Sequence, residues 1–292
     1  MVRLIDPRRL TVIVNTGDDE RFYGLHVSPD VDTVTYTLAS MVDRRRGWGL
    51  AGESFHALEA LSRLYGKPWF NLGDRDLATH LYRSERLNAG ATLSQVTAEI
   101  AGRLGVKTRI LPMSDDRVHT HVKLKGRIAM PFQEYFVRGR ARGAVEAIEL
   151  RGLAQARPAP GVLDALTGSD LVILAPSNPF VSLEPIIGLH GVREALTAVR
   201  ERVVAISPIV GGRPVKGPAD KMMRGLGHEV SPLGVARLYR DFVGVMVLDE
   251  VDRRSLRPIR DLGLRALATG TIMSTPARSV RLADVVLRAL EV

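Results

Sequence analysis

The chain contains no cysteine in its 292 residues, which excludes disulfide staples, thiolate metal ligands and thiol nucleophiles. Aromatic residues make up 5%, too few for the stacked platform that single-stranded nucleic acid requires. No apolar run approaches the roughly 18 residues of a membrane-crossing helix. The opening, MVRLIDPRRL, has neither an apolar core nor a small-residue cleavage site. No secretory leader is therefore expected, and the expected location is cytoplasmic. The phosphate-loop spacing GxxxxGKS/T and the nucleophile-elbow spacing GxSxG are both missing. A nucleotide-binding α/β domain usually opens on a strand and a glycine-rich loop, and no such unit precedes Thr11.

What is present is ordinary for a globular protein: 45% hydrophobic and 25% charged residues. Basic residues exceed acidic ones, 41 against 32, giving a net charge of +9. A field of that sign concentrates phosphorylated ligands. The excess is scattered, as at Arg44–Arg46 and Arg138–Arg142, so it argues for anionic small molecules over nucleic acid.

Short β-branched runs alternate with helical periodicity. Strands are expected at Leu10–Val14, Thr108–Leu111, Leu171–Ala175, Val203–Ile206 and Val243–Leu248. Helices are expected at 33–41, 54–64, 77–86, 93–103, 191–199, 234–239 and 281–290, with a further one opening at Asp220. Such alternation implies an α/β fold: a Rossmann-like, mainly parallel sheet with right-handed crossovers and helices on both faces. Val118 to Leu150 alternates apolar and polar instead, as an antiparallel excursion with one wet face does, and the pattern extends through Phe132–Val137. One domain over 1–292 is expected, with a core at about 1–40 and 160–292 and an inserted α+β subdomain at about 41–159.

Candidate chemistry sits at the strand ends. The segment NTGDD, Asn15 to Asp19, follows the first strand, and SPDVDT, Ser28 to Thr33, follows within ten residues. Carboxylates at strand ends point into the crevice where α/β folds bind ligands, and hard oxygen ligands suit Mg²⁺ and, through it, phosphate. Gly73–His80 places acids, Arg75 and His80 at a helix start, where helix capping competes with a binding role. Leu111–Asp116 ends a strand with two acids that an ordinary turn also explains. His119 and His121 lack a third partner for zinc. After Val203–Ile206, the loop Ser207–Pro218 offers Gly211 and Gly212 for close backbone approach and Lys216 as a mobile positive charge.

Taken in order, VNTGDD, SPDVDTVTYTL, LGDRDLATH, LPMSDD, APSNPFVSLEPII and ISPIVGGRPVKGPADKMM resemble the 2-phospho-L-lactate transferase family of deazaflavin coenzyme biosynthesis, over about Leu10 to Asp249. The resemblance implies a Mg²⁺-dependent transfer of a 2-phospholactyl or phosphoenolpyruvyl group. The donor is guanosine-diphospho-linked, the acceptor is 7,8-didemethyl-8-hydroxy-5-deazariboflavin, and GMP leaves. It implies that Asp18 holds the metal with Asp19 beside it in the catalytic site. It further implies that Asp32 and Asn71 contact the deazaflavin and that Ser177, Asn178, Gly211, Gly212 and Lys216 surround the nucleotide. A homodimer is expected. The family pattern also has a GGTGG-type loop ahead of NTGDD, which Met1–Arg9 do not supply, so weak guanosine-diphosphate binding is expected. Two alternatives accompany the transferase: a nucleotide-sugar-binding regulator of the same superfamily, and an inactive, N-terminally truncated homologue.

Overall fold

The β-branched run Thr11–Val14 forms strand β1 in a computed structural model that describes residues 1–291. A hairpin follows, β2 (Glu20–Phe22) and β3 (Leu25–Val27), turning on Tyr23 and Gly24 with φ of 53° and 81°. Two positive φ values in a two-residue loop match the right-handed twist of the strands. The sequence hides this turn because Tyr replaces the usual Asn or Asp. Helix α1 (Pro29–Leu38) starts with proline in its first turn, where a missing N–H costs nothing.

Three helices come next: α2 (His56–Tyr65), α3 (Asp74–Asn88) and α4 (Leu93–Arg103). The ends of α2 and α3 cap one another. Asp74, the first residue of α3, accepts from the N–H groups of His56 and Ala57 at the start of α2, both at 2.9 Å. Glu53, before α2, accepts from the N–H groups of Arg75 and Asp76 at 2.7 and 3.2 Å. Helix α4 carries its own capping box, Thr92 with Gln95. Strand β4 (Arg109–Pro112) then pairs in parallel with β1, Thr11 opposite Arg109. Val14, Val31, Ala101 and Ile110 form a small core under α1 and α4. Thus β4, which lies within the stretch 41–159, hydrogen-bonds to the first strand of the chain.

The antiparallel excursion consists of β5 (His119–Leu124), β6 (Met130–Pro131) and β7 (Val145–Arg151), with β5 between the other two. The alternation expected through Phe132–Val137 stops short. Glu134–Arg138 coil into a wide helical turn instead, because Phe132 and Phe136, four residues apart, stack at 5.4 Å while Tyr135 is buried.

The remaining chain builds a parallel sheet: α5 (Val162–Gly168), β8 (Val172–Leu174), α6 (Glu184–Ile187), α7 (Val192–Ala198) and β9 (Val203–Ile206). A tight hairpin, β10 (Ile209–Val210) and β11 (Arg213–Pro214), precedes α8 (Ala219–Gly225), α9 (Pro232–Tyr239) and β12 (Val245–Asp249). The chain closes with α10 (Leu256–Arg260), β13 (Arg265–Thr269) and α11 (Pro276–Leu287). The order is β13-β12-β9-β8, all parallel. Alternate residues point to opposite faces. Val203, Ala205, Met246 and Leu248 meet the face made by α5, α7, α9 and α10, while Val204, Ile206, Val245 and Val247 meet α11. The expected α/β fold with helices on both faces is therefore the observed one. Strand β13 escapes a reading by residue type, since Arg265 and two alanines are weak strand formers.

Two glycines give opposite expectations. A Cβ on Gly17, after β1, would fall 2.7 Å from Thr120 Oγ1 and 3.3 Å from Pro185 Cβ. Gly17→Ala is expected to cost about 1–3 kcal/mol by overpacking. A Cβ on Gly102 in α4 meets nothing within 4 Å, so Gly102→Ala should add about 0.5–1 kcal/mol. Urea unfolding of both variants checks the pair.

Candidate functional site

A cavity of about 950 Å³ opens at the carboxyl ends of the parallel strands. Asp18 after β1, Ser177 after β8, Ser207 after β9 and Thr271 after β13 line it. Helices α1 and α3 form the opposite wall with Asp32, Tyr36, Asp76 and His80. This is the crevice where the topology of an open α/β sheet places ligands.

Two acids in it carry no compensating cation. Asp18 is only 8% exposed, and its Oδ1 has no hydrogen-bond partner. Burial pushes its carboxyl well above the usual range; neighbouring Asp30, then Asp19, push it further, and the nearby Thr120 hydroxyl opposes them. Asp30 lies in the first turn of α1, and its carboxyl is pushed up to about 6, by burial first and Asp19 next, against a hydrogen bond from Asn15. Asn15 explains the polar start of the NTGDD segment. Its amide donates to Asp30 at 3.2 Å and to the Val181 carbonyl at 3.3 Å, and its oxygen accepts from Gly17 N–H. Asp19 faces away from the cavity lining: it accepts from Ser28 Oγ at 2.6 Å and lies 3.0 Å from His26 Nε2. Within the lining, the acid that joins Asp18 is Asp30, while Asp19 stays close enough to raise the carboxyls of both.

The second wall is neutralised internally. Arg83 on α3 is 0% exposed and binds both oxygens of Asp32. Its Nη1 also lies 3.3 Å from His80 Nδ1. A guanidinium only donates, so Nδ1 accepts and the ring proton sits on Nε2, 3.3 Å from Asp76 Oδ2. Tyr36 donates to Asp76 Oδ1 at 2.6 Å, and burial followed by the charges of Asp32 and Asp76 holds its hydroxyl far above the ordinary phenol range. Asp32, Asp76 and His80 offer three ligand atoms within 4.8 Å of one another, but Arg83 supplies the positive charge at that place.

The other expected site residues divide. Asp32, Asn71, Ser177, Asn178 and Lys216 all line the cavity with Asp18. Asn178 also caps the following turn, accepting from Phe180 N–H at 3.0 Å. Gly211 and Gly212 are outside the lining: they form the two-residue turn of the β10–β11 hairpin, with φ of 57° and 75°, and Gly211 N–H donates to Asp252. Their freedom serves the hairpin. Of the acids weighed in the sequence, Asp115 accepts from Ser94 at the start of α4, and Asp116 from Arg157 N–H, so both fasten loops. Three residues were not singled out: Asp30, whose helix-start position was legible, Arg83, indistinguishable in sequence from a surface arginine, and Trp48.

The family model described as 2-phospho-L-lactate transferase CofD matches residues 3–261. The chain belongs to the 2-phospho-L-lactate transferase family. It is 40% identical to the 2-phospho-L-lactate transferase of Methanosarcina mazei, over 98% of this chain and 93% of that one. It is 43% identical to the phosphoenolpyruvate transferase of Kitasatospora aureofaciens, over 97% and 89%. The crystal structure of protein BH3568 from Bacillus halodurans superposes with a TM-score of 0.61 at 14% identity, covering 96% of this chain and 94% of that one, and so shares the fold. The chain is thus a transferase enzyme of the CofD type. No helix among its described residues is long and apolar enough to cross a membrane.

Two measurements test the electrostatics of this transferase site. Arg83→Leu strands the Asp32 carboxylate and is expected to cost about 3–5 kcal/mol, part of which Asp32→Asn in the same chain restores; denaturant melts read both. Asp30 keeps a proton in the folded state up to about pH 6, which the unfolded chain releases near the usual 3.9. Folding therefore takes up protons between those values, and stability falls as pH rises through them. In chelator, the melting temperature should drop from pH 5 to pH 7, and Asp30→Asn should reduce the drop, leaving the part contributed by the raised Asp18 and Asp19 carboxyls.

Proposed function

We propose that this enzyme transfers a 2-phospholactyl group, or its phosphoenolpyruvyl counterpart, from a guanosine-diphospho donor to a ribityl hydroxyl of 7,8-didemethyl-8-hydroxy-5-deazariboflavin. A phosphorus–oxygen bond forms to the acceptor hydroxyl, which loses its proton. The bond to GMP breaks, and GMP leaves with the electron pair. Transfers of this kind depend on positioning and on neutralising phosphate charge, with little covalent work for the protein.

The observation that carries the reading is the buried, partnerless Asp18 oxygen beside Asp30 in a strand-end cavity. Two carboxylates held together at a cost to themselves fit a hard divalent cation, and Mg²⁺ with phosphate is the usual combination. Bound there, Mg²⁺ supplies charge stabilisation to the diphosphate and the departing GMP. The chain's own groups do the rest. Lys216 brings a positive charge to the phosphates from the β11–α8 loop, with Ser177 and Asn178 on the nucleotide side. Asp32, held by Arg83 through both oxygens, and Asn71 accept from and donate to the polar edge of the acceptor.

Asp18→Asn preserves shape and removes charge. With donor, acceptor and Mg²⁺ supplied, GMP release should fall by a factor of about 100, as for loss of one transition-state electrostatic contact. The variant should melt no lower than the wild type, since it removes a buried, uncompensated charge. Undiminished turnover with an unchanged Mg²⁺ response would sink the assignment.

A further inference from the structure

The cavity mouth carries apolar surface that the charge chemistry does not use. Trp48, Phe136, Val137, Val215, Ile272 and Met273 are exposed, and all six line this cavity. They come from four separate segments of the chain, so local sequence does not explain their meeting. Exposed apolar groups gathered on one concave surface mark a ligand site.

Trp48 is the most deliberately placed of them. It sits on the returning side of a strap closed at its base by an isolated bridge between Val42 and Leu50, with Asp43 N–H donating to the Gly49 carbonyl and Ala51 N–H to that of Met41, both at 2.9 Å. Gly47 and Gly49 flank it with φ of 77° and 69°, which let the strap reverse tightly around the indole. The Arg46 guanidinium lies 5.8 Å from the Trp48 ring and 5.4 Å from that of Phe55, so a cation steadies the indole. The ring is still 45% exposed, with room for a partner on it.

We propose that Trp48 stacks on the fused ring of the acceptor, with Phe136 adding to the same apolar mouth. This rests on the transferase reading above. Phe136 is 40% exposed and is braced by its stack on Phe132. The donor's guanine is also planar, but its edge is crowded with donors and acceptors that Phe136, Val137 and Val215 would leave unpaired. A three-ring deazaflavin offers a larger apolar face, and its polar edge has Asp32 and Asn71 within the same cavity.

The test uses the full chain with two probes: the deazaflavin, followed by its own fluorescence anisotropy, and GDP with Mg²⁺, followed by calorimetry. Stacking of a base on an aromatic side chain is worth an affinity change of about tenfold or more. Trp48→Ala is expected to weaken deazaflavin binding by that factor, Trp48→Phe to restore it to within about threefold, and both to bind GDP as the wild type does. Melting curves should be unchanged, because Trp48 is largely exposed. Wild-type deazaflavin affinity in Trp48→Ala overturns the proposal and leaves the transferase reading standing. Loss of GDP binding with deazaflavin binding intact overturns it in favour of guanine. A wild-type protein that binds GDP and no deazaflavin overturns the assigned acceptor, and this proposal with it.

Discussion

The buried pair of Arg83 and Asp32 is the constraint around which the cavity is arranged. Arg83 is contributed by α3 and Asp32 by α1, and the same guanidinium reaches the His26 carbonyl in β3. One side chain thereby fixes two helices and a hairpin that share little apolar core. Taking two charges out of water is expensive, and their attraction repays it only when geometry is good and remaining valences are met. Here both Asp32 oxygens and the His80 ring are served by one planar fork, which a lysine has no shape to imitate. The gain is geometric: the wall that carries Asp32, Tyr36, Asp76 and His80 is held in a single arrangement before any ligand arrives.

The strand-end loop after β1 and the very start of α1 follow the reverse logic. Burial raises both the Asp18 and the Asp30 carboxyl, Asp30 adds to the shift of Asp18 and Asp19 to that of both, and no arginine or lysine among the described residues relieves them. Stability is sacrificed at that place, as is common where a site must receive charge. On the proposed function, the Arg83-neutralised cluster suits a neutral, hydrogen-bonding partner, and the uncompensated Asp18 and Asp30 suit a cation with the phosphates that follow it.

The sequence announced the parallel strands well, because β-branched runs such as Val203–Ile206 are buried on both faces and need no other signal. It announced Asp18 well, because strand ends are where α/β folds expose side chains. It announced less wherever partners lie far apart in the chain. Arg83 is recognisable only once Asp32, 51 residues earlier, is seen beside it. Asp19 reads like Asp18 until His26 and Ser28 are seen on its carboxylate. Gly211 and Gly212 resemble a phosphate loop because a hairpin turn demands the same positive φ that close backbone approach does. Trp48 stood in an arginine-rich stretch with no apolar periodicity, so nothing local marked it. Strand β13 was hidden by its alanines, of which Ala266 is buried by its neighbours' packing and not by strand propensity.

The mutual capping of α2 and α3 has a mechanical consequence. The strap ends at Glu53, whose carboxylate grips the first turn of α3, and Arg75 Nη1 donates back to the Ala51 carbonyl at 2.7 Å. The strap is therefore a cantilever: its root is clamped to the helix that carries Asp76, His80 and Arg83, while Trp48 and Gly49 on its returning side reach the cavity lining. Bending at the tip need not reach the root. Mutations between Arg44 and Gly49 can retune what the mouth admits while the buried carboxylates keep their places, which separates the part of the molecule free to diversify from the part that is not.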